Sequence, residues 1–247
     1  MAGIPALALI VFPLVALPSL TDSSQIWSAL HSRDTIEAIL LSLRTTLVSA
    51  ALIAVLGLPL AYYSARSKTW FAGVIDAISD LPIVLPPAAA GVALLAAFGR
   101  SGWLGETFNL QVTFTSIAVV IAQVFVAMPY FVRSASEGIR KVSQEDALAA
   151  AIDGAGPWKA AWLVILPQCQ GAIGAGILLA WARALGEFGA TLMFAGNFVG
   201  RTQTVPLAIY AGFEGNLGQA VALSIVLLVL AVAVLALARF LIRRERS

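Results

Sequence analysis

"QEDALAAAIDGAGPWKAAWLVILPQ", residues 144–168, interrupts a chain that is otherwise mostly apolar, and it is neither greasy enough to cross a membrane nor polar enough to be a simple loop. Ser143 with Asp146 three residues later is a helix start, the hydroxyl capping a free amide and the carboxylate lying near the positive helix end. Ala147 to Ile152 favours continued helix. Gly154-Ala155-Gly156-Pro157 stops it, because glycine accepts the backbone angles of a C-terminal cap and proline suits the first turn of a new helix. A second short helix then runs from Pro157 to Pro167. The pattern predicts a bent, two-helix elbow with a small-residue tip that another protein can approach closely.

What flanks the elbow decides the class. Of the 247 residues, 60% are hydrophobic and 11% charged, well under the roughly 25% charged residues of soluble domains. Six apolar runs can be read as spans: Ile4 to Leu20, Ile36 to Tyr63, Val74 to Phe98, Ser116 to Ser136, Gln170 to Phe194 and Ala220 to Ile242. Each is near the ~20 residues that a helix needs to cross the hydrocarbon core. The prediction is an all-α integral membrane protein of about six transmembrane helices, with the elbow between the fourth and fifth. The first run lacks a basic flank and a small-residue cleavage site, so it is taken as a retained span rather than a signal peptide. Domain limits follow: residues 1–35 for the N-terminal helix and outer loop, 36–242 for the main transmembrane domain, and 243–247 for a short tail.

Orientation comes from lysine and arginine. One set of helix ends carries Arg66, Lys68, Arg133, Arg140, Lys141, Lys159, Arg243, Arg244 and Arg246, and the other only Arg33, Arg100 and Arg201. Cationic loops are retained on the cytoplasmic side, so both termini and the elbow are expected there, in a cytoplasmic (inner) membrane. Arg44, near the outer end of the second span, reads as a snorkelling interfacial residue.

Several functions are excluded early. A net charge of +2 with scattered basic residues gives no nucleic-acid stripe. Cys169 is the single cysteine and His31 the single histidine, so neither a disulfide nor a cysteine- or histidine-built metal site is expected. No phosphate-binding loop of the Gly-x-x-x-x-Gly-Lys-Ser/Thr type occurs, no cofactor is implied, and ATP hydrolysis is not expected of this chain.

Within the spans, Pro82, Pro86 and Pro87 make a straight third helix improbable, since each removes a backbone donor. The break either faces a cavity or is a packing kink. Arg183 and Glu187 are the costly residues of the fifth span, four apart and able to pair. They either line a route for an anion, Glu187 holding Arg183, or neutralise each other in packing. Gly171, Gly174 and Gly176 allow close helix approach. A connection of about thirty residues between the fourth and fifth spans exceeds what bundle helices need. It is read either as a docking helix for a cytoplasmic partner or as a helix resting on the membrane surface, to which Trp158, Lys159 and Trp162 are suited.

The elbow resembles the signature of ABC importer permeases, which runs Glu-Ala-Ala, three residues, Gly, nine residues, Ile, one residue, Leu-Pro. Ala149, Ala150, Gly154, Val164, Leu166 and Pro167 fall in that register. The acidic position is Leu148, with Glu145 and Asp146 about one helical turn earlier. "DLPIVLPPAAAGVALL", "WARALGEFGAT" and "TQTVPLAIY" are similar to molybdate permeases, with sulfate and tungstate relatives close behind. The resemblance implies a type I ABC importer permease: two copies forming a pore, separate cytoplasmic ATPase subunits gripping the elbows, and an extracytoplasmic oxyanion-binding protein delivering cargo. It implies ATPase coupling through Glu145, Ala149, Ala150, Gly154, Ala155, Pro157, Trp158, Leu166 and Pro167. Arg183, Glu187, Thr191, Pro86 and Pro87 become candidates for the translocation route. A self-sufficient secondary transporter is the competing class, and its repeated halves and paired broken helices are not evident in the sequence. A membrane enzyme ranks third, for want of a catalytic cluster.

Overall fold

A computed structural model describes residues 4–67, 69–109, 111–143, 145, 152 and 156–244, and among these it contains helices and no strand. The chain begins with α1 (Ile4–Ala16), a 3-10 turn (Leu17–Leu20) and α2 (Ser23–Leu30). The long α3 (Arg33–Arg66) follows, then α4 (Trp70–Val84), α5 (Pro87–Phe98) and the short α6 (Trp103–Phe108). After α7 (Ser116–Lys141) comes the segment α8, helical over Pro157–Ala160, π-helical over Ala161–Ile165 and helical again over Leu166–Gln168. The rest is α9 (Gln170–Leu185), α10 (Gly189–Ala195), α11 (Val205–Gly215) and α12 (Leu217–Arg244).

Among the described residues, three helices can cross a membrane unaided, and three bent pairs raise the number of spans to as many as six. The unaided ones are α3, α7 and α12, close to the runs expected from hydropathy. Their ends are fixed by ordinary means. Ser32 caps α3 by accepting from the Thr35 amide, and Thr115 caps α7 by accepting from the Ala118 amide. Arg140 and Lys141 sit in the last turn of α7, where cations oppose the helix dipole.

α7 is the centre of the bundle, packed between α3 and α9. Ile53, Phe131, Ile139, Ile165 and Ala180 form one buried cluster there, and α8 joins it through Ile165 and Cys169. Gly57 permits the approach of α3 to α7, since a Cβ at that position would lie 2.7 Å from Phe131 Cδ1. Of the glycines noted in the fifth span, Gly176 faces Ser134 and Phe131 of α7, so its close approach is within the subunit. A polar seam runs through the same packing. Ser49 Oγ donates to Gln123 Oε1 (2.9 Å), Gln123 Nε2 to Thr45 Oγ1 (3.3 Å) and Trp181 Nε1 to Thr46 Oγ1 (3.0 Å). In lipid such groups need partners inside the protein, so the seam fixes how α3, α7 and α9 face one another.

One expectation needs correction. The fifth span is not one helix to Phe194: it breaks at residues 186–188, between α9 and α10. The third span breaks as its prolines predict, with α4 and the piece beginning at Pro87 bent by 116°. Pro82 stays inside α4, and the interruption falls at Leu85–Pro86. Paired broken helices, which the sequence did not reveal, are therefore present, and α5 and α10 pack on each other.

Candidate functional site

The broken helices meet through their N-terminal turns. A Cβ at Gly189 would lie 2.5 Å from Pro87 Cβ, and one at Gly91 would lie 2.5 Å from Met193 Cβ and 2.9 Å from the Ala190 carbonyl oxygen. Glycine at 91 and 189 is what lets the two half-helices touch. Around the contact, Ala90, Leu94, Val119, Ala122, Ala190 and Phe194 form a second buried cluster.

Glu187 sits in the break and holds it. Its Oε1 accepts from the Ala190 amide at 2.9 Å, and its Oε2 accepts from Arg183 Nη1 at 2.8 Å. The residue is 2% exposed, whereas the Arg183 side chain is 27% exposed. The carboxylate thus stabilises the start of α10, where a negative charge is favoured by the exposed amides, and is neutralised by Arg183 from the preceding turn. The two do lie close enough to pair, as spacing suggested, but Glu187 is off the helix that carries Arg183. Thr191 is fully buried on α10, and its Oγ1 has no hydrogen-bond partner among the described residues. Pro86 and Pro87 are exposed at the facing break. Pro87, Glu187 and Thr191 are therefore gathered on and beside one contact between half-helices.

Toward the end of the bundle that carries α8, a cavity of about 570 Å³ lies between α4, α7 and α9. Arg133 forks onto Asp80, Nε to Oδ1 at 2.8 Å and Nη2 to Oδ2 at 2.6 Å. Arg140 Nη2 reaches Asp76 Oδ2 at 3.1 Å, and Asp76 also accepts from Ser64 Oγ of α3. Sequence reading used Arg133 and Arg140 for orientation only and passed over their partners. The signal was there: Asp76 and Asp80 are four apart and Arg133 and Arg140 seven apart, so each pair shares a helix face.

The elbow is described in part. Ser143 Oγ accepts from the Glu145 amide at 3.0 Å, as a capping hydroxyl does. Ala149, Ala150, Gly154 and Ala155 lie outside the described residues. From Pro157 the second limb runs as expected to Gln168, with Pro167 in its last turn, but a π-helical stretch accommodates Ala161–Ile165. It then bends by 76° into α9. Leu166 packs against the α3–α7–α9 core, and Trp158 and Trp162 meet edge to face with ring centroids 5.8 Å apart. No group of three or more His, Cys, Asp or Glu able to hold a metal occurs among the described residues.

Comparison with known proteins assigns this architecture. Residues 57–247 match the family described as "Binding-protein-dependent transport system inner membrane component". The chain is 41% identical over 237 residues to the molybdenum transport system permease protein ModB of Mycobacterium tuberculosis, covering 94% of this chain and 90% of that one. It is 36% identical over 242 residues to the transport system permease protein NifC of Clostridium pasteurianum, covering 96% and 84%. Among solved structures, a chain of a bacterial alginate ABC transporter in complex with its periplasmic protein superposes with a TM-score of 0.72 at 16% identity, covering 98% of this chain and 91% of that one. The chain therefore belongs to the binding-protein-dependent transport system inner membrane components, the multi-pass permeases of ABC importers.

Proposed function

We propose that this chain is the pore-forming permease of an ATP-driven importer whose cargo is a tetrahedral oxyanion, molybdate. The observation that carries this reading is the 41% identity with a molybdenum transport permease along 94% of the chain. The permease works as two copies, with separate ATPase subunits on the cytoplasmic side and an extracytoplasmic oxyanion-binding protein on the other. Both termini and the elbow face the cytoplasm, as the lysine and arginine distribution supports. The translocating unit is residues 36–242, with residues 1–35 an added N-terminal span.

Coupling runs through a continuous path. The ATPase grips the elbow at Glu145, Ala149, Ala150, Gly154, Ala155 and Pro157, where small residues allow close approach. Leu166 ties the second limb to the core, and Pro167 stands exposed in its last turn. That limb turns at Cys169 into α9, sixteen residues that span about 24 Å. At the far end of α9 lie Arg183, the break and α10, which rests on α5. A displacement of the elbow therefore reaches the facing breaks through packed helices, which shift as bodies rather than deform.

At the breaks, Glu187 has both oxygens engaged, one of them by Arg183, whose side chain is 27% exposed. A dianion meets a nearly neutral wall with one forked donor. It is guided but weakly held, which suits delivery by a separate binding protein and release on the other side. Pro86 and Pro87, exposed at the facing break, complete the lining, while Thr191 is buried behind it.

The test is Gly154→Leu. Membrane insertion stays normal, molybdate uptake is lost, and recovery of the ATPase in pull-downs falls. Wild-type uptake and recovery together would overturn the elbow's role.

A further inference from the structure

A groove of about 430 Å³ lies between the end of α3 and α8, lined by Leu58, Pro59, Tyr62 and Tyr63 on one wall and by Trp158 and Trp162 on the other. Trp158 and Trp162 are largely exposed. Their place in the elbow suggests ATPase contact, but the depth of the groove argues otherwise. Tyr63 and Leu58 stand three and eight residues inside the end of α3 at Arg66, which is about 5–12 Å along the helix axis. That is the depth of the interface between headgroups and acyl chains, where tryptophan and tyrosine concentrate.

The groove also continues an exposed apolar surface of a membrane-spanning helix. Leu52, Val55, Leu56, Pro59 and Tyr63 recur at helical spacing and are all exposed, forming an apolar stripe down a transmembrane helix that ends in the groove. Trp70 and Phe71, at the start of α4, extend the aromatic band, with Phe71 in ring contact with Tyr63. Lys159, exposed and next to Trp158 in the chain, puts a cation on the limb that forms one wall of the groove. Apolar walls, amphipathic aromatic rims and one basic side chain at this depth complement an acyl chain with a negatively charged headgroup.

We infer that the groove between α3 and α8 seats an anionic phospholipid of the surrounding membrane, its acyl chain between Tyr62 and Trp162 and its headgroup at Lys159. The elbow's second limb is then anchored to the bilayer while its tip is free for the ATPase. This removes Trp158 from the ATPase-gripping set. The inference rests on the chain spanning a membrane and needs neither the cargo nor the sidedness proposed above.

The experiment uses the permease–ATPase complex in vesicles of phosphatidylcholine and phosphatidylglycerol, with bromine on the acyl chains of one lipid at a time. The tryptophan emission lost in Trp158→Phe/Trp162→Phe is taken as the difference from wild type. That difference signal is expected to be quenched, with brominated phosphatidylglycerol preferred by about fivefold. Lys159→Ala, which keeps both tryptophans, is expected to abolish the preference. An unquenched difference signal, quenching seen only when the ATPase is omitted, or equal quenching by both lipids would each overturn the inference. The first two outcomes mean that protein covers the groove, and the third that no anionic lipid is selected. None of these readings depends on transport, so failure here is separable from failure of the importer assignment.

Discussion

Glu187 shows how a single carboxylate can be placed in a membrane without stranding its charge. One oxygen takes the Ala190 amide and the other takes Arg183, so the residue replaces two solvent contacts with two protein ones. Removing Arg183 alone leaves a buried, unpaired carboxylate, a change that costs about 3–5 kcal/mol. Arg183→Ala is therefore expected to lower the thermal stability of the purified complex and to abolish uptake. The double variant Arg183→Ala/Glu187→Ala removes the stranded charge and is expected to regain most of the stability but not the uptake, since the proposed route needs the Arg183 guanidinium. Recovery of uptake in the double variant would reduce the pair to a packing device. Sequence spacing was enough to find this pair. It could not locate the break, because Glu187 substitutes its own carboxylate for the missing intrahelical acceptor of the Ala190 amide, and hydropathy averages across the interruption.

At the scale of elements, what matters is how closely α5 and α10 approach. Both faces of the contact depend on glycine, and at Gly91 a new Cβ meets backbone as well as side chain, which cannot swing aside. Gly91→Val is expected to destabilise the complex by about 1–3 kcal/mol and to impair uptake while leaving ATPase recovery unchanged, since the elbow is remote from it. Loss of ATPase recovery in that variant would contradict the separation of coupling and route. The unbroken spans, α3, α7 and α12, were legible because long apolar runs have one reading. The break at Pro86 was legible because proline cannot donate. The break at residues 186–188 depends on tertiary packing that no local pattern announces, and for Asp76 and Asp80 the spacing showed a shared helix face but not that α7 and α3 lie opposite it.

Over the whole molecule, the elbow, the α3–α7–α9 core and the facing breaks form one connected path. α8 packs into the core through Ile165 and Cys169, α9 carries that contact to Arg183, and α10 passes it to α5. The ion pairs from Arg133 and Arg140 to Asp80 and Asp76 bind α4 to α7 near the elbow end. Being open to water, these pairs are screened and weak, which leaves them able to rearrange. In the proposed mechanism a separate ATPase drives the motion of the permease through the elbow. The decisive measurement is ATP-dependent molybdate uptake into vesicles holding this chain and its binding protein, with and without the ATPase subunit. Uptake is expected only when the ATPase and ATP are both present. Sustained accumulation of molybdate by vesicles lacking the ATPase would contradict the account.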